Sequence, residues 1–331
     1  MARRKAQLIE GRTQHERAKR RRQQGRLSDL QIAPLTLTRY EKATTELMQY
    51  WSQDDSPLPN SPEEADEMLS EYIEFCWERG LPRLAAADAI CGLQHFVPQL
   101  RRALRGSWRL LGTWDRNEIP SRAPPLLPEQ ALGMAGFACL MGRPEVGAAL
   151  IVGFNAFLRP CEMLFTAADC IFEPSCERCV VNLGLTKSGK RVGAPEQVII
   201  DDPLAVVLLR KVFDTRSSHT PLLNKGLIEF RAIFTTLATR VGASSSGLKP
   251  YSIRRGGATH HYVSKGRLDQ TIERGRWAIK RTAKIYIQDG VALTRDIQLT
   301  RTARNLLALG QSHLHDYLDQ VIKKMRGGRS R

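Results

Sequence analysis

The sequence predicts a mainly α-helical protein with a small antiparallel β-sheet, an α+β fold in two domains. Apolar residues recur at helical spacing through most of the 331 residues. Two short β-like runs, 179–185 and 197–200, are joined by a polar loop that contains glycine, which is typical of a hairpin. A proline-rich stretch over residues 116–128 separates a wholly helical part from the part that contains these strands.

The N-terminal domain is expected over residues 31–115 as a small helical bundle. Capping residues, prolines and apolar spacing locate its helices. The helices begin near Thr38, at Ser61–Pro62 and at Arg83, and a shorter fourth helix covers either 100–104 or 108–114. The next segment, 116–128, has four prolines in thirteen residues and is expected to form a semi-stiff linker.

The second domain is expected over residues 129–331. Its longer helices are predicted at about 129–141, 144–157, 204–213, 227–241, 300–309 and 313–323. The helix at 144–157 is apolar on nearly every side, so we expect it to be buried. Cys170, Cys176 and Cys179 lie close together, but no second pair of ligands follows at zinc-finger spacing. We therefore expect neither a metal ion nor a cofactor.

The composition argues against a membrane protein and against a disulfide-rich secreted protein. Hydrophobic residues make up 42% and charged residues 25%, as in ordinary globular proteins. No apolar run has the length of a membrane span, and no apolar segment follows the basic N-terminus. Seven cysteines in a chain of this length are typical of a reducing compartment. We expect an intracellular protein, nuclear if the source is eukaryotic and otherwise in the cytoplasm or nucleoid.

Positive charge is the strongest feature of the composition, with a formal net charge of +16. Residues 1–26 alone carry ten Lys or Arg against two acidic residues. A polyanion, most simply double-stranded DNA, is the expected partner. A membrane surface is less favoured because this tail has no clear apolar face. We expect residues 1–30 to form a disordered basic arm, in which residues 19–22 either act as a nuclear localisation signal or simply add affinity for DNA.

Residues 250–287 combine many arginines and lysines with a tyrosine, which suggests chemistry on phosphate. Cleavage of a phosphodiester without a metal needs fixed positive donors, and arginine binds phosphate bidentately. Tyrosine, with an ordinary pKa of roughly 10, is a far better leaving group than serine when the reaction reverses. A lysine can protonate the leaving sugar oxygen. Arg159, Arg254, Lys187 and Tyr286 are the candidates for these roles.

Each candidate also has an ordinary structural interpretation. Arg159 follows a buried helix and is placed to cap its C-terminus. Lys187 is typical of an exposed loop, and Arg254 is placed to pair with a carboxylate such as Glu162. A single tyrosine such as Tyr286 is commonly part of a core, and basic runs are commonly solvated helix faces. The combination of all four residues favours the catalytic interpretation.

Four segments, in this order, resemble the tyrosine recombinase, or phage integrase, family. They are FLRPCEML with Arg159 and Glu162, LTKSGKR with Lys187, PYSIRRGGAT with Tyr251 and Arg254, and GRWAIKRTAKIYI with Trp277 and Tyr286. The nine-residue separation between Trp277 and Tyr286 is that of the family. RRGGAT followed by GRW is most similar to the mobile-element recombinases of cryptons and DIRS-like retroelements.

The resemblance implies a helical core-binding (SAM-like) domain followed by an integrase-like catalytic domain. It implies a metal-independent site-specific recombinase that cuts and rejoins DNA through a 3′-phosphotyrosine intermediate and acts as a homotetramer assembled on double-stranded DNA. The catalytic residues that it implies are Arg159, Lys187, Tyr251, Arg254, Trp277 and Tyr286. Tyr286 is the implied nucleophile, Lys187 the implied general acid, and Glu162 a residue that supports an arginine.

Two positions depart from the family pattern, because histidine is more usual where this chain has Tyr251 and Trp277. Both side chains can donate a hydrogen bond to a phosphate oxygen, but neither readily accepts a proton at neutral pH. The sequence therefore leaves open a catalytically inactive DNA-binding derivative. A relaxing type IB topoisomerase, which shares the catalytic residues but acts alone and without site preference, is the other alternative.

Overall fold

The computed structural model describes residues 13–53, 57–243 and 246–327. Residues 1–12 of the expected basic arm lie outside the described residues. The chain divides into two compact units, one ending at Ser121 and the other running from Arg122. Residues 118–127, all of which are described, form no helix or strand.

The described residues of the first unit form helices and connecting loops but no strand. Its α-helices are α1 (Gln14–Gln24), α2 (Pro34–Trp51), α3 (Pro62–Glu78), α4 (Arg83–Phe96) and α5 (Arg105–Asn117). One apolar core joins α2 to α5 through residues such as Leu47, Leu69, Ile90 and Leu111, all of them buried. The start of α3 follows the predicted signal, since the Ser61 side chain accepts a hydrogen bond from the Glu64 N–H at 3.1 Å.

Two elements of the first unit differ from the sequence-based expectation. Residues 14–24 form a helix rather than part of a disordered arm, because Thr13 and Glu16 make a reciprocal capping box with bonds of 3.3 and 2.9 Å. Helix α2 begins at Pro34, one turn before Thr38, because proline is compatible with the first turn of a helix. The Thr38 hydroxyl bonds to the Pro34 carbonyl oxygen at 3.2 Å inside that helix.

The second unit combines helices with a small sheet. Its helices are α6 (Pro128–Leu140), α7 (Pro144–Asn155), α8 (Lys187–Val192), α9 (Pro203–Asp214), α10 (Gly226–Arg240), α11 (Tyr251–Lys265), α12 (Leu268–Gly275), α13 (Lys280–Lys284), α14 (Asp289–Ile297) and α15 (Arg301–Gly327). The mainly α fold with a small antiparallel sheet is confirmed. Among the described residues, we find no helix with both the length and the apolar character needed to cross a bilayer.

The sheet has three antiparallel strands in sequential order: β1 (Cys170–Phe172), β2 (Cys179–Gly184) and β3 (Glu196–Ile200). Val181 in β2 pairs with Cys170 on one side and with Val198 on the other. The sequence did not predict β1, which has only three residues and too few positions to show an alternating pattern. The predicted loop between β2 and β3 contains α8, which is capped by Thr186 and ends at Gly193 in the left-handed conformation.

Helix α7 lies in the core of the second unit, as its all-round apolar composition predicted. Residues 146–153 are all buried and pack with the helices α6, α9 and α11. The two helices expected at 300–309 and 313–323 are one continuous helix, α15. Gly310, inside this helix, allows a close contact between helices.

Helices α6 and α15 approach each other closely through glycine. A Cβ atom added at Gly136 would lie 1.7 Å from the Gly310 carbonyl oxygen, and one added at Gly310 would lie 2.3 Å from the Gly133 carbonyl oxygen. No side chain fits at these distances, so the two backbones depend on glycine at the crossing. Leu307 and Leu314 of α15 are buried on either side of it.

We predict that Gly136→Ala lowers the free energy of unfolding by about 1–3 kcal/mol, because the new methyl group forces the two helices apart. The matched control is Gly290→Ala in α14, where an added Cβ meets nothing within 4 Å. That control should leave stability unchanged or slightly higher, since alanine favours helix. Urea unfolding of both variants measures the difference, and equal stabilities would contradict the close crossing.

Candidate active site

Helix α11 carries Arg254 into the interior of the second unit, where its side chain has no exposed surface. Its Nη1 donates a hydrogen bond to the Phe157 carbonyl oxygen, and its Nη2 donates to the Gly275 carbonyl oxygen at 2.6 Å. Burial, together with the charge of Arg159, lowers the pKa of Arg254 to about 10. The guanidinium is therefore fixed by backbone groups from two other segments.

Two glycines let α11 reach this position. A Cβ atom at Gly256 would lie 2.1 Å from the Leu126 carbonyl oxygen, and one at Gly257 would lie 1.9 Å from the Phe154 carbonyl oxygen. The GG pair that follows the two arginines therefore brings the helix against both the chain before α6 and the end of α7. The sequence contains both glycines, and the structure shows why no larger residue fits at either position.

Arg255 and Thr259 anchor the segment that contains Tyr286 to α11. Arg255 is 2% exposed, and its two Nη atoms donate to the carbonyl oxygens of Ala123 and Ile285, each at 2.5 Å. The Thr259 hydroxyl donates to the Tyr286 carbonyl oxygen at 3.2 Å and accepts from the Gln288 N–H at 3.1 Å. The position of Tyr286 therefore depends on contacts from α11 as well as on its own local turn.

Arg159 lies just beyond α7, after a sharp change in chain direction. Phe157 has a positive φ of 49°, a conformation that is uncommon for a bulky side chain and ends the helix. Arg159 then bonds through Nη1 to a carboxylate oxygen of Glu162 at 2.5 Å and through Nη2 to the Ser188 hydroxyl at 3.2 Å. Its guanidinium does not cap α7, because these two partners hold it.

Glu162 is a buried acid that neutralises part of this positive charge. Besides Arg159, it binds Nη2 of Arg276 at 2.8 Å and accepts from the Arg159 N–H at 2.9 Å. Burial acts to raise the pKa of Glu162, but the charges of Arg276, Arg159 and Arg254 and the Arg159 amide outweigh it, so the pKa is lowered. Arg254 does not pair with Glu162, contrary to one structural interpretation of the sequence.

Trp277 and Tyr286 form an aromatic face over Arg254. Their ring centroids are 4.8 Å apart, and the Arg254 Cζ atom lies 4.8 Å from the Trp277 ring and 5.3 Å from the Tyr286 ring. Trp277 is nearly buried, and within the described part of the chain its Nε1 has no hydrogen-bond partner. The arrangement places an indole N–H and a phenol hydroxyl beside a fixed guanidinium.

Tyr251 completes this cluster at the start of α11. Its hydroxyl is hydrogen-bonded to the hydroxyl of Tyr286, and the two ring centroids are 5.8 Å apart. Burial and the hydrogen bond with Tyr286 raise the pKa of Tyr251 to about 12, against the opposing charges of Arg254 and Arg159. The residue at the usual histidine position therefore contacts the predicted nucleophile directly.

Lys187 is the predicted site residue that the structure does not bring into contact with the others. It is the first residue of α8 and is exposed. Among the described hydrogen bonds and ion pairs, none joins its side chain to Tyr286 or to either arginine. The adjacent Ser188 does bind Arg159, so α8 borders the site.

Arg276 is the main site residue that the sequence analysis missed. It adopts the left-handed conformation at φ 55° and pairs with Glu162 and, at 3.5 Å, with Glu196 of β3. Its position in the GRW segment was a signal, but pairing with acids so distant in sequence cannot be read from spacing. Within the described residues, no cluster of His, Cys, Asp and Glu could hold a metal ion.

Solved structures share this fold. The XerH site-specific recombinase, in a post-cleavage complex with palindromic difH substrate, is 14% identical, with a TM-score of 0.55 over 75% of this chain and 75% of that one. The Tn1549 transposon integrase, in complex with transposon right-end DNA, is 13% identical, with a TM-score of 0.57 over 85% of this chain and 97% of that one. No protein-family model matches the chain, and a search of curated proteins finds no match. The chain therefore has the tyrosine-recombinase fold, as the sequence resemblance implied.

We predict that Glu162→Gln lowers the free energy of unfolding at neutral pH by about 3–5 kcal/mol, because it removes the buried carboxylate that Arg159 and Arg276 share and leaves Arg276 only its longer pairing with Glu196. The folded-state pKa of Glu162 lies below its ordinary value of 4.5, so its contribution is fully present above that pH and is lost as the pH falls further. The difference between the two proteins should therefore shrink in acid.

Urea unfolding across a pH series measures this effect. Glu273→Gln, on the exposed surface of α12, is the matched control and should follow the unmodified protein at every pH. A stability difference for Glu162→Gln that is small or independent of pH would show that this carboxylate does not neutralise the arginines.

Proposed function

We propose that this protein is a tyrosine recombinase that cuts and rejoins double-stranded DNA through a 3′-phosphotyrosine intermediate. The observation that carries this proposal is the placement of Tyr286 against the fixed guanidinium of Arg254, with Arg159 held nearby by Glu162. Such a combination of buried cations and a partly exposed phenol suits a reaction on an anionic phosphate. The net charge of +16 supports DNA as the carrier of that phosphate.

In this proposal, the two arginines bind the scissile phosphate, and because Arg254 has no exposed surface, the Trp277 and Tyr286 rings that cover it must shift when DNA binds. Arg254 uses two N–H groups to hold its position on backbone carbonyls, and its Nε has no partner among the described residues. A guanidinium carries five N–H donors, so both arginines keep donors for the non-bridging oxygens. Trp277 offers its unpaired indole N–H to the same oxygens, in the position where histidine is usual.

Tyr286 is the proposed nucleophile. Its Oη attacks phosphorus in line with the leaving 5′ oxygen, so that the O–P bond forms as the P–O5′ bond breaks. Lys187 supplies the proton to the leaving 5′ oxygen, and this requires its exposed side chain to move toward the phosphate when DNA binds. Reversal of the same steps with a different 5′-hydroxyl rejoins the strand.

A homotetramer on DNA is part of the proposal, because exchange between two duplexes needs four strand cleavages. Helix α15 packs one of its sides on α6 of its own chain. Helix α14, which follows Tyr286, exposes Leu293 and Ile297, which lie four residues apart and so share one face of the helix. This apolar face is the proposed contact between neighbouring copies.

Covalent trapping tests the enzymatic proposal. The protein is incubated with a pool of nicked duplexes of random sequence, from which a cleaved strand end diffuses away and cannot be rejoined. We predict a denaturant-stable protein–DNA adduct that is absent in Tyr286→Phe and strongly reduced in Arg254→Lys, since lysine lacks the bidentate fork. Tyr262→Phe, elsewhere on α11, is the control and should form the adduct normally.

Each rival function gives a different result in this assay. DNA binding without any adduct would identify an inactive DNA-binding derivative. An adduct with arbitrary sequences, together with relaxation of a supercoiled plasmid, would identify a type IB topoisomerase-like activity. Enrichment of particular sequences among the trapped duplexes is the outcome that the recombinase proposal predicts.

We also predict that DNA binding is steeply dependent on salt. If the protein contacts six to ten phosphates, a rise in salt from roughly 50 to 200 mM should weaken binding by about 10³- to 10⁵-fold. The reason is that binding releases counterions from the DNA, and this release is less favourable at higher salt. Tyr286→Phe should show the same slope, since it removes no charge. A binding constant that changes little with salt would argue against phosphate contacts as the main source of affinity.

A further inference from the structure

The hydroxyl groups of Tyr251 and Tyr286 form a hydrogen-bonded pair, and the reaction proposed above gives Tyr251 no role. Tyr251 begins α11, whereas Tyr286 follows α13, and the hydrogen bond joins them directly. Tyr251 is 37% exposed, whereas Tyr286 is partly covered by the Trp277 ring. A reacting phosphate that approaches Tyr286 therefore meets Tyr251 as well.

Positive charges lie close to both members of the pair. The groups that face it are all cationic: Arg159 beyond α7, and Arg254 and Arg255 on α11. They favour one phenolate within the pair, and the neutral partner then donates to it. Once Tyr286 loses its proton, its phenolate oxygen can only accept a hydrogen bond, and the hydroxyl of Tyr251 is the donor already in contact with it. The proton of the hydrogen bond then belongs to Tyr251, and the negative charge belongs to Tyr286.

We propose that Tyr251 is a positioning residue that donates its hydroxyl hydrogen bond to the Tyr286 phenolate and so activates the nucleophile without an imidazole. This inference rests on the proposed strand-cleaving function. The Tyr286 proton passes to water before attack, and Tyr251 stabilises the phenolate that remains. As the Oη–P bond forms, that oxygen loses its charge and becomes a poor acceptor. The Tyr251 hydroxyl then donates to a non-bridging phosphate oxygen.

The pH dependence of cleavage tests this role, with Tyr251→Phe removing only the donor. A hydrogen bond to a charged group corresponds to a rate change of about 10- to 100-fold at neutral pH. We expect that loss in Tyr251→Phe, with the midpoint of the pH–rate profile shifted upward by about one to two units and the rate recovering at alkaline pH. Tyr251→His should restore much of the neutral-pH rate, and the control Tyr262→Phe should match the unmodified protein.

A second measurement uses the protein without DNA and does not depend on cleavage. Incorporation of tyrosine labelled with ¹³C at Cζ gives a signal for each of the seven tyrosines, and the signal lost in Tyr286→Phe belongs to the nucleophile. We expect this signal to titrate at higher pH in Tyr251→Phe than in Tyr262→Phe. If the protein proves inactive on DNA, the shift still tests the hydrogen bond, so failure of this inference and failure of the proposed function are distinguishable.

Three results would overturn the inference. One is an unchanged titration of the Tyr286 signal in Tyr251→Phe. Another is a rate loss in that variant that is the same at every pH, which would mean that Tyr251 acts on the phosphate alone. The third is a faster reaction in Tyr251→Phe, which would mean that the pair restrains Tyr286.

Discussion

The buried guanidinium of Arg254 is the interaction on which the rest of the site depends. Its two backbone partners, the carbonyl oxygens of Phe157 and Gly275, belong to the ends of α7 and α12. One side chain of α11 therefore ties this helix to the chain that follows α7 and to the end of α12. Because it has no exposed surface, the cation cannot be solvated by water and must be satisfied by protein groups. The aromatic rings of Trp277 and Tyr286 then pack on a group that two backbone hydrogen bonds hold in place.

The charge balance of the site explains why it is suited to an anion. Arg159, Arg254 and Arg276 are gathered around Glu162, and Glu196 adds a weaker pairing with Arg276. Cations outnumber acids in this group, so a positive potential remains at its exposed edge. A phosphodiester, with its single negative charge, would complete the balance. When no phosphate is bound, Glu162 keeps the cluster stable. It also occupies an Arg159 donor for which a phosphate would have to compete.

The sequence predicted the fold class, and it made Arg254 and Tyr286 candidate site residues, because both lie in local sequence patterns. It predicted the start of α3 from Ser61 and Pro62, since capping is a local interaction. It did not predict the single helix α15 through Gly310, because the reason for that glycine is the backbone of a distant helix. The pairing of Arg276 with Glu162 was missed for the same reason: local spacing contains no information about long-range contacts.

The most direct test of the account is the identity of the residue that becomes attached to DNA. The covalent complex formed with nicked duplexes is digested with protease and nuclease, and mass spectrometry locates the modified peptide. The account predicts a nucleotide joined through its 3′-phosphate to Tyr286. Attachment to Tyr251 or to any other side chain, or through a 5′-phosphate, would contradict it.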